Sequence, residues 1–572
     1  LIDIGVVLKS EFDAAEKDRR EQEAVWIKDL RQYRGIYDPD VLSKIQKNKS
    51  QAYMPITRAK VRSVDARVMD TISPAGSEKN WSIRATPEPE ISETQRAEVL
   101  SEIQSSGETP TEEELKLTIK DLTDKAASRM ESEIHDQLIE GKYINVARAV
   151  VHSGNLFGTG VLKGPLTDHR QNHKWRKTEI GYEMESQERR RPYFEFVPIW
   201  DIYPDMSATE LDDCDYIWQR HVMNRAQLRK LAKRKSFKGK LINKYIAENP
   251  DGNFEKKSHE NDLDSVTNNT TNRKRKYEVL ERWGYLDGKD LKDCGCDISD
   301  EDLNQEFEAN IWLLGDQVIK AVLNPAEQKA RPYHFYYFEK DETSVFGISI
   351  PSIYRDPQRL FNAAIRMAID NAAISAGPQI EANRELLPDE DLQDVFPFKI
   401  WQAVGDGSSP ALRVYKLPSY TKELLAFAQF IKSIGDEIST IPSYMHGEED
   451  KGAGNTARGL SMLMGAANMT TKDVVRNYDQ GITKPFITAM YHWNMQFGDN
   501  EEAKGDYEVD AQGVTTLVSK EIRSQELNQI AQLAANPVYA PFFKQHDIAM
   551  EIAKNQDSSN LAKDTEEVMV AA

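Results

Sequence analysis

Residues 346–378 read FGISIPSIYRDPQRLFNAAIRMAIDNAAISAGP. A glycine hinge and a proline turn open the stretch. Asp356 stands where an N-cap belongs, with Pro357 at the first helical position. Nothing interrupts the helix before Gly377-Pro378, a strong stop. About 20 helical residues make a rod of about 30 Å. At ~100° per residue, Arg359, Asn362, Arg366 and Asp370 fall on one narrow strip. Leu360, Phe361, Ala364, Ile365, Met367, Ala368, Ala372 and Ile374 cover most of the remaining circumference. One thin polar strip predicts a helix packed on several sides and wet on one. A bundle in a large core produces that, and so does a ring of helices around an aqueous channel. Arg366 and Asp370 also have the spacing of an i,i+4 ion pair.

The chain that carries this helix has 572 residues, room for about three or four ordinary domains. Its hydrophobic content of 39% and mean hydropathy of −0.63 are low for a compact enzyme, yet above the disordered class. No run approaches the length of apolar residues that spans a bilayer, so no membrane span is expected. The apolar run in LIDIGVVLKSEFDAAEKD is too short for a signal peptide. The three cysteines include Cys294-Gly-Cys296, which has neither zinc-knuckle nor thioredoxin spacing, and all three read as reduced thiols. The net charge of −19 and pI of about 5.2 argue against a tight, sequence-specific DNA binder, which needs a basic face. They do not argue against DNA passing by, because each phosphate contact adds salt-dependent affinity that a conduit avoids.

Residues 11–35 are charge-dense and suit an exposed helix. Val61, Val64, Val68 and Ile72 mark a helix over 56–73. A proline-rich acidic excursion follows, then helices over 111–141 and 144–153. Gly158-x-Gly160-x-x-x-Gly164 has a helix before it and a strand after it, the reverse of a dinucleotide site, and reads as a turn. Residues 193–205 and 216–222 read as partner strands. Asn224 caps a helix that opens the most basic segment: Arg225, Arg229, Lys230, Lys233, Arg234, Lys235, Lys238, Lys240 and Lys244. With few aromatics, it is no stacking platform for single strands. It is either a solvated face or a contact for DNA or an acidic neighbour. Residues 249–272 read as a mobile loop. Strands follow at 276–285, 306–314, 317–320 and 333–338, with a tight turn at Gly315. After the central helix come short strands at 379–382 and 413–417 and a helix to about 438. Thr456–Asn468 and 470–497 read as helices, the second kinked at Gly481 and Pro485. A last strand at 507 and a helical C-terminal region complete the chain.

Chemistry is scarce. There is no Walker loop, no H-E-x-x-H and no G-x-S-x-G. Ten histidines are scattered without paired spacing. His446, Glu448, Glu449 and Asp450, followed by Lys451, sit in a glycine-rich loop, where consecutive acids do not converge on one ion without a scaffold. The expectation is no catalytic, cofactor or metal site.

The spacing Gly347-xxx-Pro351, Gln358-xxx-Asn362-xxx-Arg366-xxx-Asp370, Gly377-Pro378 resembles the stem helix of tailed-bacteriophage portal (head-to-tail connector) proteins, closest to the larger portals of short-tailed phages. VPIWDIYPD over 197–205 and the 442–497 stretch, with NTARGLSMLMGAAN inside it, also resemble that family. The likeness runs in order over roughly residues 55–535. It implies a fold mainly α with β insertions (α+β), assembled as a ring with eleven further copies of the chain. It implies an N-terminal wing part (1–222), a first stem segment (223–250), a β-rich clip (251–345), a second stem helix (346–378), a C-terminal wing part with tunnel loop (379–518), and a crown with acidic tail (519–572). Arg359, Asn362, Arg366 and Asp370 would face the channel or a neighbouring stem. His446, Glu448, Glu449, Asp450 and Lys451, or else 405–410, would form the tunnel loop. The basic segment would lie near the first stem. Twelve copies would carry about −230 charges. Major capsid protein, scaffold, terminase and tail adaptor are the implied partners, with double-stranded DNA passing through without sequence specificity. The implied location is the portal vertex of the virion, and the host cytoplasm during assembly. Two other readings stand beside it: another oligomeric head or adaptor protein, and a metal-dependent nucleic-acid enzyme.

Overall fold

The computed structural model describes residues 4–73, 79–86, 112–178, 181–268, 275–326, 330–383, 385–387, 410–441 and 472–512. The chain is a mixture of helix and sheet in two units. One unit is built from Leu1–Leu30, Lys60–Ile350 and Glu449–Ala572, the other from Arg31–Ala59 and Pro351–Glu448.

The first unit holds most of the sheet. Helices α1 (Ile4–Asp18) and α2 (Arg20–Arg34) open the chain, followed by α3 (Pro39–Lys44) and α4 (Ile56–Ile72). Strand β1 (Trp81–Ala85) precedes the long α5 (Glu112–Glu140) and α6 (Tyr143–Phe157). Gly158 ends α6 in the left-handed region at φ +86°, and β2 begins at the next residue. β2 (Thr159–Thr178) and β3 (Gly181–Val197) form a long antiparallel ribbon. Among the described residues only its base, Thr159–Lys163, gains a third strand, β9 (Tyr333–Tyr337). A five-stranded antiparallel sheet runs in the order β4 (Ile202–Pro204), β5 (Tyr216–Asn224), β6 (Lys276–Asp287), β7 (Glu306–Leu314) and β8 (Gln317–Leu323). Between β5 and β6 lie α7 (Arg225–Leu231), α8 (Gly239–Glu248) and α9 (Ser258–Thr267); α10 (Gly288–Asp293) follows β6.

Three apolar clusters stand out among the described residues of this unit. Trp26 packs with Val161, Val197, Ile217, Trp283, Phe335 and Phe346. Leu8 and Phe12 of α1 pack on Tyr203, Trp218 and Ile311. Leu228, Ile242 and Ile246 fasten α7 and α8 onto Tyr277, Leu314 and Ile319.

The second unit is a helical hairpin. A short α11 (Ile350–Ile353) leads into α12 (Arg355–Ala376). β10 (Gln379–Ala382) pairs antiparallel with β11 (Leu412–Tyr415), and α13 (Thr421–Ser439) returns. Small residues let the two helices approach: Ala364 and Ala368 are buried on α12, and Ala428 and Gly435 on α13. A Cβ on Gly435 would meet the Tyr354 ring at 2.5 Å. The chain then re-enters the first unit. A helical stretch over 472–478, here α14, passes through a π turn (Asp479–Thr483) into α15 (Lys484–Phe497). β12 (Tyr507–Ala511) pairs with β1.

Several expectations change. α12 starts at Arg355, so Asp356 lies inside the first turn and not at the cap. The first residues are not an exposed helix, because Arg19 and Trp26 are fully buried. Residues 249–272 contain α9, whose His259 and Glu260 are buried polar groups, so the segment lacked the aliphatic signal of a packed helix. Residues 223–250 form no rod but two short helices on the sheet. Strands at 276–323 belong to the same sheet as β4 and β5, so 251–345 is not a separate β unit. Residues 193–197 pair with β2, and only Ile202–Pro204 pairs with β5. The loop with His446, Glu448, Glu449, Asp450 and Lys451, the loop at 405–409, the helix at 456–468 and the region 519–572 lie outside the described residues.

The α6–β2 turn yields a test. A Cβ on Gly158 would lie 2.0 Å from the Gly347 carbonyl oxygen, whereas Gly295, also at positive φ (+95°), has nothing within 4 Å. Gly158→Ala should lower the urea-unfolding free energy by about 2 kcal/mol or more, and Gly295→Ala by about 1. Equal costs would mean that backbone conformation alone, without the close approach to Gly347, sets both.

Candidate functional site

Every fourth residue of α12 from Gln358 to Asp370 carries a group that can hydrogen-bond, and each has found the segment before α4. Gln358 is 1% exposed; its Oε1 accepts from the Thr57 backbone N–H (3.1 Å) and hydroxyl (3.0 Å), and its Nε2 donates to the Met54 carbonyl (2.7 Å). Asn362, 2% exposed, accepts from the Met54 N–H at 3.0 Å. Arg366 donates to the Tyr37 hydroxyl at 2.5 Å, with its guanidinium 5.0 Å from the centre of that ring. Asp370 accepts from the Ser50 N–H at 2.8 Å. Arg359 is exposed and makes long contacts, 3.8 Å each, to Asp38 and Asp356. Residues 45–55 lie between α3 and α4 without helix or strand, so their backbone groups need such partners.

The strip predicted to be wet is therefore the packed side, and Arg366 and Asp370 each bind this segment instead of each other. The apolar arc is divided: Ala364 and Ala368 are buried, and its large side chains are uncovered. On α12, Leu360, Met367 and Ile374 are 56%, 58% and 46% exposed. They are spaced by seven, the repeat of a helix–helix seam. On α13, Phe427, Phe430, Ile434 and Ile438 are exposed and fall on one face. β10 and β11 add Ile380 and Val414. Asn371 joins the hairpin at its far end: its Oδ1 accepts from the Tyr420 N–H at 2.7 Å, at the start of α13. Nothing in the sequence singled out Asn371, because a cap borrowed from another helix has no local signature.

The basic segment lies in the first unit. Asn224 and Gln227 close a reciprocal capping box at the start of α7. Leu228 and Leu231 face inward, while Arg229, Lys230, Lys233 and Arg234 are exposed. Arg225 donates to the Pro250 carbonyl at 3.0 Å, and Arg234 stands 3.8 Å from Asp168 of β2.

Buried ionisable groups in this unit are tied to structure. Glu281 (2% exposed) accepts from Lys163 at 2.5 Å and from the Trp283 indole at 2.8 Å, and lies 2.8 Å from His221. Burial works against the charge, yet Lys163 and His221 hold the carboxyl well below its usual range. Burial pushes Lys320 down to about 8, where it donates to Asn310 at 2.6 Å. His334 is pushed down to about 4 by burial, and as a neutral ring its Nε2–H donates to the Gly164 carbonyl at 2.9 Å. Among the described residues no group of three or more His, Cys, Asp or Glu side chains is placed to hold a metal ion. Among them too, no helix is long and apolar enough to cross a membrane.

A family model described as phage SU10 portal protein matches residues 104–554, well over half of the chain. No curated protein matches it.

Two measurements probe these contacts. Gln358→Ala strands the buried Thr57 N–H and Asn362→Ala leaves its own buried site unfilled and the Met54 N–H without this partner; each should cost about 1–3 kcal/mol, with faster proteolysis within 36–57. Arg359→Ala should change stability by under about 0.5 kcal/mol. For His334, the unfolded ring takes a proton near pH 6.5 and the folded ring only near 4. Its contribution is full above pH 6.5 and is lost as pH falls toward 4, at about 1.4 kcal/mol per pH unit. His334→Gln should flatten the acid limb of the stability profile over that window; an unchanged slope would remove His334 as its source.

Proposed function

The chain belongs to the phage SU10 portal protein family, near the portals of short-tailed phages, and from that membership we propose that twelve copies close into a ring at one capsid vertex. The family is structural and not enzymatic. The ring is the conduit through which double-stranded DNA enters during packaging, driven by a separate terminase, and leaves at ejection. Its other partners are the major capsid protein, scaffold and a tail adaptor.

The observation that supports the ring is the uncovered apolar arc of the α12–α13 hairpin. Leu360, Met367 and Ile374 form one stripe, and Phe427, Phe430, Ile434 and Ile438 another. A continuous apolar face of this kind calls for a cover. Two stripes on two helices of one hairpin suit a heterologous contact, in which one copy's α12 stripe meets the next copy's α13 stripe and the rotation closes.

The same hairpin supports a revised division of the chain. A stem made of two helices with a β element between them matches α12, β10–β11 and α13. In this proposal the stem is Arg355–Ala376 with Thr421–Ser439, and the clip is the segment between them. The five-stranded sheet and the helices around it then belong to the wing, the basic segment of 225–244 included.

The test is imaging and native mass spectrometry of the full chain. Rings of about twelve subunits with a central hole wide enough for duplex DNA are expected. Phe430→Asp and Met367→Asp, exposed in the protomer, should leave it folded and abolish rings. Rings that persist in both variants would sink this interface; compact monomers of the unaltered chain at micromolar concentration, with scaffold present, would sink the ring itself.

A further inference from the structure

We propose that the exposed basic face around α7 is a second nucleic-acid surface, one that grips the phosphodiester backbone without reading sequence. From Arg225 to Lys244 the chain has nine cations and no acid before Glu248. In a protein of net charge −19 that concentration is local and opposite in sign to the whole. Arg229, Lys230, Lys233, Arg234 and Lys235 are all exposed, on the last turn of α7 and the turn after it. Arg225, Arg229, Lys230 and Lys233 line one open groove. Among the described residues, Arg229, Lys230 and Lys233 make no ion pair.

Beyond the groove the face continues through Arg234 and Lys235, both exposed in the turn after α7, where Arg234 stands 3.8 Å from Asp168 of the β2–β3 ribbon.

The composition of the face selects the partner. A protein partner would use apolar or aromatic anchors at the centre of its contact. No large apolar side chain of 225–250 is exposed: Leu228, Leu231, Phe237, Ile242 and Ile246 are all buried beneath the cations. Charge without anchors is what phosphate contacts need, and such contacts fix position without specifying bases. The inference rests on this surface alone and does not depend on ring closure.

The experiment is fluorescence anisotropy of the full chain with labelled duplexes of two unrelated sequences, from about 50 to 200 mM salt. Equal affinity for both sequences is expected, falling steeply with salt. The triple variant Arg229→Glu, Lys230→Glu, Lys233→Glu should bind at least about tenfold more weakly at low salt. Its salt slope should be shallower by about 2 to 3, near 0.9 for each phosphate that is no longer neutralised. The variant Lys44→Glu, Lys47→Glu, Lys49→Glu makes the same charge change at exposed positions elsewhere and should bind as the unaltered chain does. Unchanged urea midpoints show that both variants fold. The proposal is overturned if the unaltered chain does not bind duplex at 50 mM salt, if both triple variants weaken binding equally, or if polyglutamate of matched charge binds more tightly than DNA.

Discussion

The second unit depends on four side chains at intervals of four residues, Gln358, Asn362, Arg366 and Asp370, which hold a segment some 300 residues earlier in the chain. That segment has little regular structure, so its amides and carbonyls must be satisfied by something else. Gln358 makes three of these bonds: one amide group meets a backbone N–H, a hydroxyl and a carbonyl. With this face of α12 spent on hydrogen bonds, and Ala364 and Ala368 on the contact with α13, Leu360, Met367 and Ile374 are left exposed. Exposed apolar area along one helix face is the condition for association by hydrophobic burial.

The first unit solves a related problem with charge. Arg19 is fully buried at the junction of α1 and α2. Its guanidinium donates to the carbonyls of Ile199, Trp200 and Ile202 and to Glu23. These partners satisfy a group whose burial would otherwise be prohibitive. Lys163, on the strand that anchors the ribbon, does the same with Glu281 and Gln219 of the five-stranded sheet. Such contacts contribute less net stability than apolar packing of equal volume, but they tolerate one arrangement only. Lys163 ties the ribbon base to the sheet, and the packing of Leu228, Ile242 and Ile246 on Tyr277, Leu314 and Ile319 holds α7 and α8 in place.

Elements that announce themselves by local chemistry were legible in the sequence. α12 ends where Gly377-Pro378 said it would, Asn224 caps α7, Gly315 turns between β7 and β8, and the helix after residue 470 deforms at Gly481. Val61, Val64, Val68 and Ile72 are all buried, as their spacing required. Several of the differences share one cause. A polar residue need not face solvent: Arg19, His259, Glu260, Gln358 and Asn362 are polar and buried. Glu23 lies only four residues from Arg19, but most of their other partners lie tens to hundreds of residues away, and no short window of sequence contains both halves of such a contact. The β2–β3 ribbon was missed for the converse reason. Most of its length has no third strand, so it needs no apolar face and shows no alternation of period two. The exposed stripe on α12 has the periodicity of a core, and a lone sequence does not say whether its cover is in the same chain or the next.

The charge distribution suits the proposed role of passing a polyanion. A strongly acidic chain repels DNA at range and is screened over about 10 Å at ordinary salt. Repulsion alone keeps the polymer from sticking but gives it no position. A few clustered cations supply position at short range, where the Debye length no longer protects the phosphates from them. Because their affinity derives from counterion release, it depends on phosphate spacing alone and is the same for every sequence that arrives. In the proposed conduit such contacts would exchange one phosphate for the next. An arrangement with apolar or base-reading side chains would instead bind some registers better than others and so raise barriers between them. Burying Leu228, Leu231, Phe237, Ile242 and Ile246 under α7 and α8 removes those anchors from the surface. The packing that fastens these two helices to the sheet is therefore also what leaves their outer face with charge as its only means of contact.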